Sequence, residues 1–231
     1  MTRTTLTVHW KFAWKFSLRA TGGLLVFIGG VLLIARLLIS LSNMQFAADS
    51  FNSFEVIVPL IAGLHAALLF APDDEPALEV LIAAPRPPVY LIYERLAVLI
   101  GLQGGLALVL SALTAILMPG VGLFVIIVHW LPPTVAMIGL CLLATLYARR
   151  AAFGVLTAIA LCVAMAFGNK AILPLFPSLW FMIFYVQPRD VTPSQYLINR
   201  VFLLSVGGVA LALVLIRMRD EEALLGVQEN R

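Results

Sequence analysis

The sequence predicts an all-α integral membrane protein with six transmembrane helices, and three observations carry that expectation. Only 12% of the 231 residues are charged and 62% are hydrophobic, whereas a soluble domain carries about 25% charged residues. Six apolar runs approach the ~20 residues that a helix needs to cross the hydrocarbon core. Lysine and arginine collect on alternate connections between those runs, the asymmetry that marks a cytoplasmic face.

The first run, Gly22–Leu41, exceeds the roughly 7–15 apolar residues of a secretory signal and reads as a permanent span. Phe54–Ala71, Arg95–Met118, Leu131–Ala148 and Ala151–Gly168 follow, and Asn199–Ile216 is the sixth. The apolar stretch 120–130 allows the fourth span to begin earlier and bend at Pro132–Pro133, since tandem prolines remove backbone donors. The segment 171–187 is apolar but broken by Pro174, Pro177 and Pro188. With about half a span between the last two prolines, it reads as a re-entrant or interfacial helix within an outer hairpin, 169–198. A seventh full span is the competing reading.

With the N-terminus in the cytoplasm and six crossings, the inner side holds Arg3, Lys11, Lys15, Arg19, Arg86, Arg95, Arg149, Arg150, Arg217, Arg219 and Arg231. The outer side holds Lys170, Arg189 and Arg200, and Arg36 falls inside the first span. Both termini, the tail 217–231 and the loop 72–94 are therefore expected in the cytoplasm. Residues 1–21 precede one six-helix domain, 22–231. In them Trp10 and Trp14 share one helix face while Lys11, Lys15 and Arg19 share another. That pattern suits a helix lying in the headgroup layer, aromatics toward the lipid tails and bases toward anionic lipid. The alternative is an ordinary basic flank extending the first span.

The net charge of +3 is too small to argue for nucleic acid, and Cys141 and Cys162 lie in apolar runs as small hydrophobes. There is no G-x-x-x-x-G-K-[ST] phosphate loop, no H-E-x-x-H or Cys/His cluster with metal-ligand spacing, and no G-x-S-x-G. No catalytic residue, metal site or bound cofactor is expected. Four polar groups inside spans stand out, because such groups are costly in lipid and often functional. Arg36 lies about 21 Å along the first helix from Gly22, and Glu55 opens the antiparallel second span at a similar height. An Arg36–Glu55 pair is expected, with lone snorkelling of Arg36 or a substrate contact as alternatives. His65 and Gln103 are expected to hydrogen-bond between helices, with a proton relay or a ligand contact as the alternative. The pairs Gly22/Gly23, Gly29/Gly30, Gly104/Gly105 and Gly207/Gly208 permit close helix approach.

The densest acidic cluster falls in the loop "PDDEPALEVLIAAPRPP", residues 72–88. Asp73, Asp74 and Glu75 favour the positive end of a helix dipole, and Pro76 is tolerated in a first turn. Leu78, Leu81 and Ile82 then share one side of a short helix that Pro85 stops. The loop is either a connector or a docking element.

"DDEPALEVLIAAPRPPVYLIYERL" resembles the cytoplasmic segment after the second span in permease subunits of type 2 ABC transporters. That family carries an acidic start, a Leu-Glu-Leu-Leu-like run and a proline, matched by Glu75, Leu78, Glu79, Leu81 and Pro85; Pro76-Ala77 stand where the family commonly has Gly-Thr. The aromatic-basic N-terminus, the region Gly139–Leu146 ended by Arg149–Arg150, and "LPLFPSLWFMIFYVQPRDVTPSQYLINR" extend the likeness along the chain. The resemblance implies that 72–94 holds a coupling helix, with Asp74, Glu75, Leu78, Glu79, Leu81 and Pro85 seated against a separate ATP-binding cassette ATPase. ATP and magnesium would bind that partner subunit, and a second permease copy or homologue would complete a dimer. It further implies export of a hydrophobic or amphipathic substrate across the plasma membrane of a prokaryote. The alternatives are a self-sufficient secondary transporter or channel, and a haem-export-like permease of cytochrome c maturation.

Overall fold

The computed structural model describes residues 28–32, 34–35, 46–74, 89–117, 122–171, 192–219 and 224. Among them every regular element is helical. We label α1 Phe46–Ala67, α2 Val89–Leu117, α3 Leu123–Ala148, α4 Ala151–Ala171 and α5 Pro193–Arg217. Residues 28–32 and 34–35 are helical as well, and Pro72–Asp74 form a 3₁₀ turn after α1. In α2, five residues, Ile100–Gly104, form a π-helical turn between two α-helical arms. Three of these helices, α2, α3 and α5, are long and apolar enough to cross a membrane. The apolar stretches 54–67 and 151–164 are shorter.

The helices alternate in direction, as side-chain contacts at three heights establish. Along α1 and α3, Glu55 faces His129, Gly63 faces Met137 and Cys141, and Ala67 faces Thr145, so the two run parallel. Along α3 and α5, His129 meets Tyr196, Val135 meets Gly207, and Tyr147 meets Arg217, again parallel. Arg95, Gln103 and Ser111 of α2 meet Leu69, His65 and Trp130 in turn, which makes α2 antiparallel to α1 and α3. A tight turn at residues 149–150, with Arg149 at φ 63°, sends α4 back along α3. Consequently α4 ends, and α5 begins, at the end of the bundle marked by Glu55.

α3 forms the centre because its apolar residues surround it on every side, whereas an amphipathic stripe would bury only one face. Near the Glu55 end, Phe54, Val58, Ala107, Leu110, Ile126 and Trp130 pack together. Toward the other end, Phe70, Ile92, Leu99, Leu142, Leu146 and Met218 are among the residues of a second cluster. Glycine lets the backbones meet between them. A Cβ on Gly207 would stand 2.6 Å from the Val135 carbonyl, and one on Gly139 2.7 Å from the Gly207 carbonyl. Gly29 likewise faces Ile61, but Gly105 and Gly208 have open space and Gly104 meets only Ile100 of its own helix at 3.8 Å, so close approach explains only part of the glycine pairs. The outward faces are apolar: Ile116 and Phe124 are each 76% exposed, and Val109, Val209 and Ile216 are more than half exposed elsewhere on the bundle. So large an apolar exterior suits lipid, and the chain is compatible with a membrane protein.

Two helix starts differ from the sequence expectation. Arg95 lies inside α2, which begins at Val89, instead of opening the span; it is buried and its guanidinium donates to the Leu69 carbonyl. Arg200 lies two turns inside α5, not in an outer flank, because Thr192 and Gln195 form a capping box with Pro193 at the first helical position. Both arginines therefore leave the count of exterior charges. The prolines 132 and 133 sit within continuous α3, which begins at Leu123. Lacking N–H groups, they cannot donate to the carbonyls of Val128 and His129.

Candidate functional site

The bundle carries its polar side chains at three heights. At the first, Glu55 of α1 and Arg200 of α5 form a salt bridge, with both side chains almost wholly buried. The Arg200 guanidinium also stacks on the Tyr196 ring, 4.4 Å from its centroid. From α3, His129 places Nδ1 2.7 Å from the Tyr196 hydroxyl and 3.9 Å from Glu55 Oε2. Three parallel helices thus meet in one cluster of a carboxylate, a guanidinium, an imidazole and a phenol. Four residues separate Tyr196 from Arg200 on α5, which sets them on the same face. In an apolar bundle a charge is tolerated only when paired and hydrogen-bonded, and this arrangement supplies both.

At the second height, Gln103 Nε2 lies 3.4 Å from His65 Nδ1, joining α2 to α1 as the sequence leads one to expect. Gln103 belongs to the π turn, and such turns recur at functional positions. Nearer the first height, the Trp130 indole donates to the Ser111 hydroxyl at 3.0 Å.

The third height is the far end of α1. Its last carbonyls lack helical donors; Thr145 donates to the Ala67 carbonyl at 3.3 Å and Arg95 to that of Leu69. The 3₁₀ turn that follows is held by the α3–α4 turn. Asp73 N–H donates to the Arg149 carbonyl at 2.9 Å, Arg149 Nε donates to Asp73 Oδ1 at 2.8 Å, and Arg150 Nε lies 3.9 Å from Oδ2. Beside it, Arg217 stacks on the exposed Tyr147 ring, 5.5 Å from its centroid. The start of the acidic loop is therefore fixed to the base of α3 by backbone and side chain together.

Of the residues singled out in the sequence, Glu55 occupies the buried cluster and the backbone of Asp74 closes the 3₁₀ turn. Trp10, Lys11, Trp14, Lys15, Arg36, Glu75, Leu78, Glu79, Leu81 and Pro85 lie outside the described residues. Among the described residues the cation on Glu55 is Arg200, with His129 beside it. Sequence reasoning missed these two and Tyr196. The signal that could have found them is Thr192-Pro193-Ser194-Gln195, a capping-box pattern that starts the helix early enough to bring Tyr196 and Arg200 inside. Among the described residues no group of three or more His, Cys, Asp and Glu side chains has metal-site geometry. Searches against protein-family models, curated proteins and solved structures give no match for this chain.

Proposed function

We propose that the chain is the membrane-spanning permease subunit of an ATP-binding cassette exporter, moving a hydrophobic or amphipathic substrate with ATP hydrolysed on a separate subunit. The tether between Asp73 and the α3–α4 turn carries this reading. It ties the start of the loop most like a coupling helix to the turn that ends the central helix, so a push transmitted to Asp73 would reach α3. The sequence has no phosphate-binding loop of its own, which accords with fuel used elsewhere.

The alternating directions support six spans with both termini in the cytoplasm. The segment between α4 and α5 begins and ends at the Glu55 end, as a re-entrant hairpin requires; a seventh crossing would set α5 antiparallel to α3. Removing the buried Arg95 and Arg200 from the charge comparison leaves ten bases against two, so the orientation argument survives the correction. The Asp73 end is then cytoplasmic, with Arg149, Arg150, Arg217 and Arg219, and the exposed Tyr90, Tyr93 and Tyr147 form an aromatic belt.

Co-purification with a P-loop ATPase is the test, followed by Glu79→Arg and Leu78→Asp. The reading expects both variants to lose the complex or its stimulated ATP hydrolysis; unchanged assembly and unchanged stimulation in both would remove the coupling assignment. A second reading, a self-sufficient secondary transporter, draws on the buried Glu55–Arg200–His129 cluster, because ionisable groups inside a membrane bundle often line ion routes. Uptake or release in vesicles driven by an ion gradient alone would favour it.

A further inference from the structure

We propose that the buried cluster is a proton-binding site, with His129 Nδ1 as the proton acceptor and the choice of neighbouring helix as its output. The geometry offers that nitrogen two alternatives. When Nδ1 is bare it accepts from the Tyr196 hydroxyl, 2.7 Å away on α5. When Nδ1 takes a proton from water it becomes a donor, and the acceptor facing it is Glu55 Oε2, 3.9 Å away on α1. That oxygen accepts no hydrogen bond among the described residues, although Oε1 of the same carboxylate receives Arg200. Glu55 thus holds one oxygen for the guanidinium and presents the other toward the ring. A small rotation of the imidazole exchanges an α3–α5 hydrogen bond for an α3–α1 ion pair. No atom is transferred other than the proton.

Among the described residues, groups facing His129 include Glu55 from α1 and Tyr196 from α5, with Arg200 stacked on the Tyr196 ring and paired to Glu55. The charged residues of α2, Glu94 and Arg95, lie toward the opposite end, while Lys170, one residue before the end of α4, falls at this height by its position along the helix. Imidazole is the side chain whose ordinary titration spans physiological pH. The other buried histidine, His65, faces the neutral Gln103 and has no carboxylate within salt-bridge distance among the described residues, so it lacks the second arm of the exchange. This inference does not depend on a partner ATPase and stands apart from the transport reading.

The test uses the intact chain in lipid nanodiscs, with ¹⁵N-labelled histidine and ¹³C-labelled tyrosine, followed by nuclear magnetic resonance from pH 8 to pH 5. A His9→Gln/His65→Gln background leaves His129 as the sole labelled ring without touching the cluster. The expected result is a change of the Nδ1 signal from bare to protonated, with the Tyr196 ring signal moving at the same midpoint. Glu55→Gln, which removes the anionic acceptor and keeps its size, should shift that midpoint. A Tyr196 signal that follows His129 in the parent but not in Glu55→Gln also supports the exchange. An Nδ1 that stays in one state across the range overturns the proposal, as does a His129 transition that leaves Tyr196 unmoved or is indifferent to Glu55→Gln. Should Glu55→Gln fail to fold, Tyr196→Phe deletes only the competing hydroxyl and must likewise displace the midpoint.

Discussion

Glu55 and Asp73 are the same chemistry in two settings. Each is a carboxylate facing two bases, one within α1 and the other just beyond its end. The Glu55 side chain is 1% exposed and that of Asp73 38%. In the buried pair, removing one partner strands a charge in an apolar bundle, whereas at the exposed end water replaces whatever is lost. Burial, more than the number of contacts, decides which end holds the fold together. The ion pair at the exposed end therefore adds little to stability, although with the backbone hydrogen bond it fixes where the loop starts.

The largest expected effect breaks the buried end. Arg200→Ala or Glu55→Ala should destabilise the protein by about 3–5 kcal/mol, read by thermal unfolding in detergent. The double replacement Glu55→Leu/Arg200→Met removes both charges and should recover most of that loss, since apolar pairs of similar volume often substitute without cost. If the single variants are as stable as the parent, the buried cluster does not hold α1 to α5. A smaller effect probes the closeness of the helices between the two ends. Gly207→Val sets a side chain against the Val135 backbone and should cost about 1–3 kcal/mol, while Gly208→Ala, facing open space, should pass with little change. Equal effects at the two glycines would mean that α5 does not pack through the Gly207 face.

The difference between the ends also marks what the sequence could reveal. Long apolar runs announce helices because lipid demands them, and the structure has helices over all five apolar runs from Phe54 onward. Their boundaries drifted where polar residues sat inside a helix: the sixth run opens at Asn199 with Arg200 counted outside, yet α5 begins at Pro193. A hydropathy run ends where a charge begins, whereas a helix ends where its caps lie, and a buried charge separates the two. That His65 and Gln103 would each bond to another helix was legible because both sit in mid-run, where only another helix can satisfy them; that they meet each other was not. That Arg200 pairs with Glu55 was not legible either, since pairing across 145 positions depends on how the helices rotate against one another; the expected partner Arg36 lies outside the described residues. Nothing in one-dimensional spacing fixes that rotation.

At the exposed end the expected effects are small and salt-sensitive. Asp73→Ala should cost about 0–1 kcal/mol, because its backbone N–H still reaches the Arg149 carbonyl and only the ion pair is lost. Raising the salt to 1 M, where the screening length falls to about 3 Å, should erase most of that difference while leaving the Glu55→Ala effect nearly intact. Equal salt sensitivity at both carboxylates would contradict the contrast in burial.

Arg149→Gly should have the smallest effect, because its contributions oppose one another. At φ 63° Arg149 occupies the left-handed region, which costs an ordinary residue about 1–2 kcal/mol and glycine very little. Glycine relieves that strain, loses a half-exposed ion pair of about 0–1 kcal/mol, and gives the unfolded chain about 0.5–1 kcal/mol of added freedom. The sum lies close to zero. Arg149→Ala loses the same pair but keeps the strain, so the glycine variant should be the more stable of the two. The opposite order would show that side-chain packing at this turn outweighs the backbone, and that the α3–α4 turn is held by more than the Asp73 tether.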